Sequence, residues 1–142
     1  MPCDIKQNAD ASTGMQGTGG GDGEFVALHR GYNATSVNGT IFTASRNYVV
    51  KSVVLRPDVI GSDASAVTVA VKIAASGTAI ASGVAVHSGT GDLKGTANTN
   101  QTLTLSTNGP DLLLLAGQSI GLAFTGVLTA AVGNVSITLC PA

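Results

Sequence analysis

Between Gly117 and Cys140 apolar and small residues change places one by one. Ile120, Leu122 and Phe124 interleave with Gly121, Ala123 and Thr125, and beyond the Gly126–Gly133 connection Val135, Ile137 and Leu139 interleave with Ser136, Thr138 and Cys140. Successive side chains of a strand point to opposite faces, so each segment has one greasy face and one face of small residues. The pair reads as a hairpin laid across a sheet core, with a second face that is small and uncharged.

The same period of two recurs upstream. Ala66–Ala74 is the clearest strand, with Val67, Val69, Val71 and Ile73 on one side and Thr68, Ala70 and Lys72 on the other. Gly39–Ala44 is another. In Tyr48–Arg56 both faces are partly apolar, as in a strand covered on both sides or interrupted by a bulge. Pro57, which has no N–H for a ladder, is expected to close it. Phe25–Leu28 reads as a short strand leaving through a turn at His29–Asn33. Gly77–Gly83 reads as a hairpin or short edge strand that Val84–His87 extends. Ser88–Asn100 is loop, Gln101–Ser106 points Leu103 and Leu105 inward, Asn108–Asp111 is a turn, and Leu112–Gly117 leads to the closing hairpin. No segment sustains the helical i, i+3, i+4, i+7 pattern. Seven or eight short strands between Gly, Asn, Asp and Ser turns predict an all-β fold, an antiparallel β-sandwich of jelly-roll type. Residues 39–142 form that domain. Residues 1–38 are expected to be an N-terminal arm, made flexible by Gly14, Gly17 and Gly19-Gly-Gly-Asp-Gly23.

Composition narrows the function more than it names it. Charged residues are 11% of the 142 and the net charge is −1, with the seven basic residues scattered. That argues against nucleic-acid binding by charge, and no apolar run is long enough to cross a membrane as a helix. The first eight residues lack the apolar stretch of a signal peptide. The two cysteines, Cys3 and Cys140, sit near opposite ends of the chain. Chain ends often lie close, so a disulfide between them is compatible with the fold. Without an export signal, the compartment argument favours two free thiols.

No catalytic constellation is visible. His29 and His87 have no metal-ligand spacing and read as surface or rim residues, and with the cysteines they make no zinc set. Asp58 and Asp63 flank a turn without calcium-loop spacing. Asp92 and Lys94 read as a solvated pair, and no G-x-S-x-G elbow occurs. The Gly-rich segment matches neither phosphate-binding loop pattern. Catalytic, cofactor and metal residues are therefore expected to be none, and the chain is expected not to be an enzyme. What stands out is the blandness of the non-core faces. Small neutral side chains cost little to desolvate, and depletion of charge marks the centre of an interface.

Four segments carry a resemblance: Ala66-Val-Thr-Val-Ala-Val-Lys-Ile73, Gly77-Thr-Ala-Ile-Ala-Ser-Gly83, Gly117-Gln-Ser-Ile-Gly-Leu-Ala-Phe-Thr-Gly126 and Gly133-Asn-Val-Ser-Ile-Thr-Leu139. In order they resemble the head decoration (cement) proteins of tailed bacteriophages, over roughly residues 40–142. The resemblance implies a structural virion protein on the capsid exterior, made in the host cytoplasm. It implies a homotrimer that clamps neighbouring major capsid protein subunits, with neither cofactor, nucleic acid nor membrane as partner. Hydrophobicity and alternation nominate Ile5, Met15, Phe25 and Leu28 for docking the arm, and Thr68, Ala70 and Lys72 for a neutral packing face. The alternative is a phage fibre or spike tip that binds a host glycan through loops 88–100 and 107–117, against which the absence of Trp counts.

Overall fold

The computed structural model describes residues 25–142. Among them are ten strands and no α-helix: β1 (Val26–Tyr32), β2 (Gly39–Thr43), β3 (Tyr48–Val59), β4 (Thr68–Ala74), β5 (Val84–Ala85), β6 (Gly91–Asp92), β7 (Gln101–Thr102), β8 (Leu113–Leu114), β9 (Ser119–Thr125) and β10 (Val132–Pro141). They form two antiparallel sheets of five. The first runs β1-β10-β3-β7 with β8 also on β3, and the second runs β2-β9-β4-β5 with β6 also on β4. The first four strands thus alternate between sheets, and the first strand lies beside the last and the second beside the second-last. This is the wrapping of a jelly roll, as the sequence pattern predicts.

The β-branched inward rows explain the core. Val50, Val53 and Leu55 of β3, with Val135, Ile137 and Leu139 of β10, face Val69, Val71 and Ile73 of β4 and Ile120 and Leu122 of β9, all buried. Burying each such side chain is worth about 1.5–3 kcal/mol, so these rows supply most of the driving force. The ambiguity of Tyr48–Arg56 resolves as a bulge. Register slips between Thr138 and Leu139, which leaves Lys51 as the extra residue on β3 and lets Val50 and Val53, three apart, both point inward.

Five expectations are corrected. The closing hairpin does not exist: β9 pairs with β2 and β4, whereas β10 pairs with β1 and β3 in the other sheet. Alternation gives a strand's faces but not its neighbour. Pro57 does not end β3, which runs to Val59. Its carbonyl accepts the Asn98 N–H at 2.6 Å, away from β10, so the edge that lacks a donor is one that no neighbouring strand needs there. The strand at Phe25–Leu28 does not turn at His29 but continues to Tyr32, paired along its length with β10. Gly77–Gly83 is not a strand: it carries a single 3-10 turn at Ile80–Ser82. Cys140, expected as a free thiol, is disulfide-bonded.

Candidate interaction surfaces

A sandwich has two outward faces, and this chain treats them differently. On the second sheet the register sets Thr68 beside Thr125, Ala70 beside Ala123, Lys72 beside Gly121 and Ala74 beside Ser119. The structure therefore does bring Thr68, Ala70 and Lys72 onto one outward row, each half-buried. The row is not wholly free, however. The segment around Ile80–Ser82 packs against β9, β4 and β2, Ile80 is buried, and Ala123 is only 8% exposed although it points away from the core. Lys72 Nζ donates to the Ala81 carbonyl at 2.8 Å. Gly121 shows why small residues are required here: a Cβ on it would lie 2.2 Å from the Gly39 carbonyl oxygen. Between Asn38–Thr40 and Thr78–Ala81 remains a shallow open cleft of about 370 Å³.

On the first sheet nothing among the described residues covers the outward side. Ala27 lies beside Thr138 and Ser52, His29 beside Ser136, Val54 and Thr102, and Gly31 beside Asn134 and Arg56. Ala27, His29, Gly31, Arg56, Thr102 and Ser136 are exposed. At one end of this face Val49, half-buried, and Leu113, exposed, flank Cys140 across the ladder. Phe25 precedes Val26, the partner of Leu139, and is 45% exposed. Sequence reasoning read Ser136, Thr138 and Cys140 as a small, uncharged face but nominated only Thr68, Ala70 and Lys72 for packing against a partner.

Of the residues nominated for docking, Ile5 and Met15 lie outside the described residues. Leu28 is half-buried and packs against the core from β1. Where β1 and β2 meet at the open side of the sandwich, Arg30 bridges the sheets. Its guanidinium donates to the carbonyls of Gly39 at 3.2 Å and Val37 at 2.9 Å and lies 6.0 Å from the centre of the Phe124 ring.

Several other ionisable groups are spent on the fold. His87, expected at the surface, is 4% exposed. Its Nε2 accepts the Val71 N–H at 2.9 Å, beside the Val86 N–H donated to the Val71 carbonyl. The imidazole stands where a strand carbonyl would complete the β4–β5 ladder, which requires the Nδ1–H tautomer, facing the Ser88 carbonyl at 3.3 Å. Burial holds its pKa below the ordinary histidine value, and hydrogen bonds to the Ser88 and Gly89 backbone oppose that shift. Lys94 does not simply pair with Asp92: its Nζ donates to the Asp63 carbonyl at 2.6 Å and that of Ser65 at 3.2 Å. Asp92 Oδ1 instead accepts the Lys94 backbone N–H, at 2.8 Å. Asp63 caps its own turn through the Ser65 N–H, and Asp58 sits 3.7 Å from Arg56. The Tyr32 hydroxyl is buried without a hydrogen-bond partner, and burial, with a contribution from Asp58, pushes its pKa up to about 12. Among the described residues no group of three or more His, Cys, Asp or Glu side chains is placed to hold a metal ion.

Comparison with known proteins gives little. No family model matches the chain, and no curated protein matches it. Among solved structures, a chain described as "Cyanophage Pam1 capsid asymmetric unit" aligns over 91% of this chain and 91% of its own length, at 16% identity and a TM-score of 0.49. A likeness at that distance assigns neither family nor function.

Proposed function

We propose that the chain is a structural protein of a tailed-bacteriophage particle, a non-enzymatic decoration protein that binds the capsid exterior and bridges major capsid protein subunits as a homotrimer. The observation that supports this reading is the outward face of the first sheet. It is three long strands wide, with β7 and β8 at its edge, and is small-residued and poor in charge, on a jelly roll whose buried His87 serves the β4–β5 ladder. The three long strands, about 4.8 Å apart over seven residues at about 3.3 Å each, give a plan area of about 330 Å². A standard interface takes about 800 Å² from each partner. One such face is therefore a weak binder, and three of them in a symmetric oligomer gain avidity without new contacts. A symmetric oligomer such as the proposed trimer would supply that avidity.

The test is co-sedimentation with expanded heads of the phage that encodes the chain, together with the native mass in solution. Val54→Glu and Ser136→Arg, both on the open face, are expected to abolish co-sedimentation while leaving the fold intact. Undiminished binding by both variants, or a monomer in solution that binds heads as tightly as the proposal requires of a trimer, refutes it. Reproducible glycan binding without affinity for heads would instead favour a fibre or spike tip.

A further inference from the structure

β1 ends the first sheet, so among the described residues one of its edges has no strand beside it. The ladder fixes which backbone groups lie on that edge. The Leu103 N–H donates to the Val53 carbonyl at 2.9 Å, so Val53 turns its backbone groups towards β7 and away from Ile137, its opposite residue on β10. Along an antiparallel strand the N–H and C=O of one residue point to one side and those of the next to the other. Ile137 therefore turns to β1 and bonds Leu28, while Ala27, His29 and Gly31 aim their N–H and C=O groups outward. Among the described residues no backbone group outside β10 pairs with them.

Open edges are ordinarily blocked by shortness, a bulge, a proline or a charge. The other edges here are blocked. β5, β6, β7 and β8 have two residues each, and β2 is interrupted by a register shift between Thr40 and Phe42. β1 has seven residues, an unbroken register with β10, no proline, and no formal charge on its outward row. Its one arginine, Arg30, is held by the Gly39 and Val37 carbonyls.

We infer that β1 is a self-pairing edge, which docks β1 of a second copy, antiparallel about a two-fold axis at His29. The row is self-complementary in that register. Ala27 comes opposite the partner's Gly31, His29 opposite the partner's His29 and Gly31 opposite the partner's Ala27, each pair exchanging two backbone hydrogen bonds. Small residues flank the centre on both sides, and the row offers no charge for a charged partner to meet. Val37, 71% exposed and tied to Arg30 through its carbonyl, adds an apolar group on that flank. A seven-residue strand about 23 Å long, on a sandwich about 10 Å deep, gives about 230 Å² per copy, against about 800 Å² in a standard interface. The pairing is therefore weak and suited to chains already held side by side. A two-fold contact cannot lie inside a three-fold ring, so within the proposed function it would join one trimer to the next. The pairing belongs to the free chain and its test contains no heads, so its failure leaves the capsid reading standing.

The experiment follows amide exchange and native mass of the full chain from micromolar to millimolar concentration. The Ala27, His29 and Gly31 amides are expected to exchange fast in dilute solution and about tenfold more slowly at millimolar chain, as the mass doubles. Those of Leu28 and Arg30, bonded to β10, are expected to be slow throughout. His29→Pro removes the central outward N–H and spares the β10 ladder, and His29→Lys sets like charges opposite each other. Each is expected to weaken association about tenfold. Two double variants test the register. Ala27→Lys with Gly31→Glu places opposite charges across the axis and should associate more tightly than Ala27→Lys with Gly31→Lys. Both are sterically allowed, since a Cβ on Gly31 would meet the Gly133 carbonyl oxygen at 3.6 Å. A mass independent of concentration, edge amides that stay fast at millimolar chain or slow at every dilution, undiminished association by His29→Lys, or equal association by the two double variants overturns the inference.

Discussion

Acid should loosen this protein at one histidine. The Val71 N–H is a buried ladder donor whose acceptor is the His87 Nε2. Protonating the ring in place would put an N–H against an N–H, so the folded state resists the proton, consistent with the lowered pKa. The sign follows: below about pH 6.5 the unfolded chain binds a proton that the folded chain refuses. Stability is then present above that pH and is lost as pH falls towards the folded pKa. One proton gives at most about 1.4 kcal/mol per pH unit, so about 1.4 kcal/mol is the ceiling between pH 6.5 and 5.5. His87→Gln isolates the effect, because an amide oxygen can accept the Val71 N–H without titrating. His87→Phe strips the acceptor and leaves the donor buried, at a cost of about 1–3 kcal/mol at any pH. Urea denaturation from pH 7.5 to 5.5, with the wild-type curve taken against His87→Gln, checks both statements. If the two proteins lose stability in parallel on acidification, or if His87→Phe is as stable as wild type at pH 7.5, the role given to the imidazole is wrong.

Four further perturbations test other parts of the structure. Tyr32→Phe should be neutral or slightly stabilising by thermal unfolding, since the hydroxyl it removes has no partner; its raised pKa also predicts that the variant loses less stability than wild type between pH 10 and 12, where only the unfolded tyrosine ionises. Gly121→Ala should cost about 1–3 kcal/mol and release β2, seen as faster amide exchange at Gly39–Thr43, because the new methyl group meets the Gly39 backbone. Leu55→Ala, at the centre of the core, should cost about 2–5 kcal/mol in urea denaturation. Lys94→Met should speed proteolysis of the 61–66 loop, whose carbonyls its ammonium gathers, with a stability loss of about 1 kcal/mol because the site is partly solvated.

The strand faces were legible because period-two alternation is a local property: Val67, Val69, Val71 and Ile73 are buried as the pattern says. Even the bulge in β3 left a trace, in the change of inward parity between Val50 and Val53. Pairing was not legible, because it depends on which strands meet after the chain has wrapped. Two alternating segments six residues apart look like a hairpin whether they share a sheet or, as β9 and β10 do, lie in different ones. His87 was misplaced for a related reason. A histidine between small residues carries no sign that its ring will replace a backbone carbonyl, since the Val71 N–H that needs it is 16 positions away.

The bland faces were legible too, but their meaning divides in two. On the second sheet, smallness has an internal cause: Gly121 and Ala123 lie under the chain's own 75–83 segment and against the β2 backbone, where a larger side chain would have no room. That part of the charge depletion would exist in a solitary monomer. On the first sheet no described residue approaches Ser136, Ala27 or Gly31 from outside, so packing within the body does not require them to be small. The proposed capsid contact is assigned to that face for this reason, and Ser136→Arg should weaken co-sedimentation with heads where a change at the exposed Ala75, beside the second sheet, should not.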